Sequence, residues 1–152
     1  MDRREFCKTL TAGLVLPAAA WSAAPPSKLV VVRNAAPAEL VRKAVQALGG
    51  MSQFVKKGQT VLLKPNIGWD RSPEQAANTN PEAVAEVVKM CFEAGAGRVR
   101  VLDRTCNQAQ RCYSRSGIEK AAAAAGAQVR HIIEGRFKEV AIPQGALLKS
   151  WP

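Results

Sequence analysis

Val61-Leu62-Leu63-Lys64-Pro65-Asn66 is the stretch on which the fold turns. A β-type apolar run stops at a lysine, a proline and an asparagine. Residues 67–79 are then largely polar, until Asn80 opens a helix. Connections in compact α/β units are usually ~2–6 residues long, so a longer one is a functional candidate. A strand that feeds a long loop is where α/β proteins place ligands.

Upstream, Leu29-Val30-Val31-Val32 reads as a first strand, a continuous apolar run ending at Arg33-Asn34. Leu40, Val41, Ala44, Val45 and Leu48 recur at helical spacing, and Gly49-Gly50 stops that helix. A turn region over residues 51–57 leads to Gly58 and the second strand, residues 60–63. Downstream, Asn80 is a helix cap with Pro81 in the first position and Glu82 near the positive dipole end. Val84, Val87, Val88, Cys91 and Phe92 form its apolar stripe, with Glu86, Lys89 and Glu93 facing out.

A third strand over residues 98–102 ends at Asp103, and a second long loop covers 104–115. Ser116 and Glu119 have capping-box spacing before the next helix. Residues 128–133 read as a fourth strand and 137–142 as a fifth, with a further extended segment over 145–151. Strands alternating with helices predict an α/β fold: a three-layer, largely parallel sheet with helices on both faces, Rossmann-like in outline. The extended segment at residue 151 leads to the expectation that the domain is incomplete at its C-terminus.

Residues 1–24 read as an export leader and residues 25–152 as the α/β domain. Arg3-Arg4 precede Phe6 and Lys8, and a weakly charged apolar run follows, as in a twin-arginine signal. Asp2 and Cys7 depart from the usual pattern. Pro17 interrupts the run, which is short of the ~20 residues that cross a bilayer, so no stable membrane span is expected. The implied partner is the twin-arginine export machinery, and the implied location is periplasmic or otherwise extracytoplasmic. That route carries folded proteins, often with a cofactor inserted.

The 152 residues carry a net charge of +10, with 47% hydrophobic and 22% charged residues, a globular composition. Without the leader's charged residues the body retains +9. There is no basic run of five or more, no aromatic ladder and no nucleic-acid motif, so nucleic acid is not an expected partner. Gly95-Ala96-Gly97 ends a helix rather than opening one and is no dinucleotide loop. No phosphate-loop or nucleophile-elbow motif occurs.

The carboxyl ends of the strands gather the candidate ligand-binding residues: Arg33, Lys64, Asn66, Asp103 and Arg104. Lys64 can hold a phosphate or carboxylate, or act as a base if desolvated. Asn66 both donates and accepts hydrogen bonds. Asp103 can pair with Lys64, bind a hydroxyl or join a metal site. The plain reading is a strand-end ion pair with Asn66 closing a turn. No catalytic residue stands out. Cys91 lies on an apolar stripe and reads as core. Cys106 and Cys112 share one polar stretch and suit a disulfide, metal or cluster ligation, or free redox-active thiols. His131, the sole histidine, reads as a hydrogen-bonded strand residue.

Taken together, the leader, residues 61–66, Asn78-Thr79-Asn80-Pro81, Gly95-Ala96-Gly97 and the strand ending at Asp103 resemble the DUF362 family. Residues 106–117 are similar to one exported subgroup of it. The resemblance covers about the first half of the family domain, so motifs of the second half would follow residue 152. It implies the fold class and export and points to Lys64-Pro65-Asn66, but it carries no agreed activity. Some members hold iron–sulfur clusters in an added cysteine-rich segment. No such segment occurs here, and an iron–sulfur cluster would need ligands from outside this chain. Two expectations follow: an exported protein binding a small anionic ligand or redox cofactor, or a non-catalytic accessory domain with a disulfide-stapled loop.

Overall fold

The computed structural model describes residues 27–151. The expected export leader, residues 1–24, and the expected start of the domain at residue 25 lie outside the described residues.

Strand β1 (Thr60–Leu63) pairs in parallel with β2 (Arg98–Val101), and β2 pairs in parallel with β3 (Gln128–Val129). The order is β1-β2-β3. Helix α1 (Pro37–Ala47) precedes β1, α2 (Pro81–Glu93) joins β1 to β2, and α3 (Ala109–Arg115) with α4 (Ile118–Ala124) joins β2 to β3. This is an α/β fold with a parallel sheet, as the strand–helix alternation predicts. Helix α2 packs against both α1 and α4.

The alternation in Arg98-Val99-Arg100-Val101 sorts the sheet's faces. Val99 and Val101 are buried with Val84, Val88 and Cys91 of α2 and Ile118 and Ala122 of α4. The opposite face carries Leu62, Arg98 and Arg100, all exposed. Gly97 enters β2 against the turn before β1. A Cβ there would stand 2.8 Å from the Gly58 carbonyl oxygen, a spacing only glycine permits.

Four expected elements are corrected. Residues 29–32 are not a strand: they belong to no ladder, and Leu29 is 89% exposed. Apolar, β-branched residues make a strand only where a neighbour takes their backbone groups, and among the described residues the sheet ends at β1. The loop over 104–115 contains α3, which buries Cys112 and Tyr113. The fourth strand stops at Val129 because the Tyr113 hydroxyl intervenes. It accepts from the Asp103 amide at 2.7 Å and faces the Arg130 carbonyl at 3.1 Å, where the ladder would have continued. The fifth strand shrinks to β4 (Val140–Ala141), antiparallel to β5 (Ser150–Trp151) in a separate small sheet.

Two side-chain expectations change as well. Glu86 is buried rather than outward-facing, because Arg42 of α1 reaches it at 2.5 Å. The Ser116–Glu119 capping box does not form: Gly117, with φ 73°, is the α4 cap, and Glu119 lies 3.7 Å from His131. Asn80 caps α2 as expected, its side chain accepting from the amides of Glu82 and Ala83.

Candidate functional site

Strands β1 and β2 end side by side, and this brings Lys64 and Asp103 together. The Lys64 ammonium lies 2.5 Å from Asp103 Oδ1. The pair is lopsided: the Lys64 side chain is 69% exposed and that of Asp103 only 3%. Asp103 Oδ2 accepts from the Ile67 amide at 2.8 Å, and Oδ1 has Lys64 as its partner among the described residues. The buried carboxylate therefore has two fixed partners, a backbone amide and one exposed cation.

Tyr113, which sequence reasoning missed, holds the other side of Asp103. Its hydroxyl accepts from the Asp103 amide and lies 2.9 Å from the Asp103 carbonyl oxygen. It is fully buried, and burial is the main reason its phenol is pushed above the usual tyrosine value. A signal was present: Ala109, Cys112, Tyr113 and Ser116 recur at helical spacing, and the last three are buried.

Asn66 closes the loop that follows β1. Its amide group donates to the Ala77 carbonyl, its side-chain oxygen accepts from Gly68, and its backbone amide donates to Thr79 Oγ1. Asn78 pins Trp69 from both ends, accepting from its amide and donating to its carbonyl. Asp70, a second missed residue, gathers Arg111 at 2.8 Å and Arg115 at 3.5 Å from α3. The loop is thus a folded unit fastened over the strand ends, not a slack connection.

The remaining candidates lie further out. Arg104 is 3.4 Å from Glu134 and stacks over the Phe137 ring at 5.7 Å. Arg33 is exposed and lines neither cleft at this edge. The positive end of α2 is already occupied by the Asn80 side chain.

Two clefts flank the ion pair. One, of about 270 Å³, has Lys64 and Thr79 at its rim and an apolar lining from Val41, Leu63, Ala83 and Val84. The other, of about 290 Å³, is more polar and includes Asp103, Arg104, Asn107 and Glu134.

Cys106 and Cys112 meet at a single peptide. The Gly68 carbonyl accepts from the Cys106 amide at 2.8 Å and from the Asn107 amide at 3.3 Å, and the Cys112 sulfur lies 3.6 Å from it. Both thiols are free in this structure, Cys106 exposed and Cys112 buried. Burial pushes the Cys112 thiol up, and Asp70 and Cys106 add to the rise. Cys91 is buried in the core as expected, and desolvation raises its thiol too. Among the described residues no cluster of three or more His, Cys, Asp or Glu is placed to hold a metal ion. Nor is any described helix long and apolar enough to cross a membrane.

The chain is 46% identical over 55 residues to the Thylakoid-associated protein sll1697 of Synechocystis sp.. That alignment takes in 36% of this chain and 17% of the relative, so the chain spans about a sixth of the length of this curated relative. No solved structure matches. The family described as "Domain of unknown function (DUF362)" matches residues 61–152, from β1 through the small C-terminal sheet and more than half the chain. On that match, the chain belongs to the DUF362 family.

Proposed function

We propose that this is an exported protein that binds a small anionic ligand or redox cofactor at the carboxyl ends of β1 and β2. One observation carries the reading. Lys64 presents an exposed ammonium at the rim of an apolar cleft, and a buried carboxylate holds it in place. An ammonium fixed at the mouth of an apolar cavity suits a ligand with an acidic end and an apolar body. Binding would set the ligand's anionic group against Lys64, with Thr79 beside it to hydrogen-bond. Asp103 acts as the orienting residue. Arg104 and Asn107 would meet a ligand that extends into the second cleft. An iron–sulfur cluster would require ligands from outside this chain.

Export rests on the twin-arginine pattern of the leader. The name of the Synechocystis relative, thylakoid-associated, supports a place beside or beyond a membrane. Fusing residues 1–26 to a reporter tests it: export should occur and should stop when Arg3 and Arg4 are both changed to Lys.

The binding claim is tested by thermal-shift titration of the full-length protein with a panel of phosphate- and carboxylate-bearing small molecules. The reading expects at least one compound to raise the melting temperature. Lys64→Gln should weaken its affinity about tenfold or more, and Lys64→Arg should keep part of it. Equal affinity in wild type and Lys64→Gln would remove Lys64 from the site. The second reading, a non-catalytic accessory domain, draws on the exposed Leu147, Leu148 and Trp151 and on how fully the loops bond to themselves. It expects partner capture and no small-molecule shift.

A further inference from the structure

We propose that Cys106 and Cys112 form a reversible thiol–disulfide exchange site that clamps the Gly68 peptide and, with it, the loop carrying Trp69 and Asp70. The inference is independent of the anion-binding reading. It starts from the three donors that converge on the Gly68 carbonyl: the Cys106 amide, the Asn107 amide and the Cys112 thiol. The Cys106 sulfur also comes close to this glycine, 3.7 Å from where a Cβ on Gly68 would stand. Both sulfurs therefore sit against one residue.

Their environments differ in the way an exchange pair needs. Cys106 is exposed, on the loop between β2 and α3, and can meet an external disulfide. Cys112 is fully buried on α3 and can be reached only from within. An attacking thiol must be accessible and partly ionised, whereas a resolving thiol need only be near. Because Cys106 lies outside any helix or strand, it can turn toward Cys112 without breaking an element. Cys91 offers an internal contrast, since it is buried in the core and its thiol has no exposed route to an external disulfide.

The oxidant is an organic disulfide. The Cys106 thiolate attacks one of its sulfurs, forming a mixed disulfide and expelling one thiolate. The Cys112 thiol gives up its proton, and its sulfur attacks the Cys106 sulfur, expelling the second thiolate. One organic disulfide is reduced to two thiols, and the cysteine pair is oxidised by two electrons. The two protons lost by the pair end on the released thiols.

The test uses the full-length protein, reduced and kept without oxygen, and equilibrated natively with mixtures of reduced and oxidised glutathione. Samples are quenched with acid, alkylated and digested with trypsin. Trypsin cuts after Arg104, Arg111 and Arg115, so the disulfide joins peptide 105–111 to peptide 112–115. The linked peptide should rise from absent to dominant as the mixture becomes more oxidising. It should vanish when reductant is added back, with Cys91 unreactive throughout. In Cys112→Ser, glutathione should accumulate on Cys106. In Cys106→Ser, neither linkage nor glutathione at Cys112 should form. Should Cys112→Ser fail to fold, the exposed Cys106→Ser carries the test alone. In the oxidised protein, amide hydrogen exchange across residues 68–72 should slow several-fold. The proposal is overturned by an absence of native linkage in every mixture, by linkage that native reductant cannot reverse, or by unchanged exchange in that loop.

Discussion

Asp103 does two separable jobs, and two substitutions tell them apart. It accepts from the Ile67 amide, and it neutralises an exposed lysine. Asp103→Asn keeps an acceptor for Ile67 and loses an ion pair whose cation is largely in water. It should cost no more than about 1 kcal/mol in urea melts. Asp103→Ala also strands the buried amide and should cost about 1–3 kcal/mol more. Equal costs would mean that Ile67 does not depend on this carboxylate. Tyr113→Phe removes the group that takes the Asp103 amide and faces the Arg130 carbonyl. It should destabilise by about 1–3 kcal/mol, read in the same melts. At this scale Lys64 and Asp103 were legible because each is the first ionisable residue past the end of a strand. Tyr113 was not, because its spacing lay inside a stretch read as loop. Asn66 was legible as a turn-former, and its amide is spent on that turn.

At the scale of elements, the periodic segments declared themselves and the unpaired ones misled. Helix α2 was readable from Asn80-Pro81-Glu82 and its apolar stripe, and β2 from two apolar residues alternating with arginines. Residues 29–32 read as a strand on composition alone, but composition does not supply a hydrogen-bonding neighbour. Glu86 was misplaced because its partner, Arg42, lies 44 residues away, beyond any local pattern. Arg42 also joins α1 to α2 through Glu93, with both contacts at 2.9 Å. The Arg42 hydrogen bond holds the Glu93 carboxyl below its usual value. A folded-state value below the unfolded one means the contribution is present above the ordinary carboxylate range. It is lost as the pH falls through the depressed value. Glu93 is exposed, so the effect should be small. Urea melts of wild type and Glu93→Gln should differ slightly at pH 7 and converge in acid. Gly97→Ala should cost about 1–3 kcal/mol, since its Cβ would meet the Gly58 carbonyl. A neutral result would show that the turn before β1 can yield.

For the whole molecule, the sheet's strand ends are where the chain concentrates its polar organisation. The ion pair, the self-bonded loop, the two clefts, Cys106 and Cys112 share that edge. The α/β class and the position of this edge followed from the order of elements. The closure of the loop did not, because it depends on contacts between residues 66–79 and the α3 region that only the folded chain creates. On the proposed function, this edge holds a ligand. Native against denaturing mass spectrometry on the full-length protein, exported and purified without oxygen, tests it most directly. The account expects extra mass under native conditions that is lost on denaturation and reduced in Lys64→Gln. A native mass equal to that of the polypeptide, in wild type and variant alike, would contradict it.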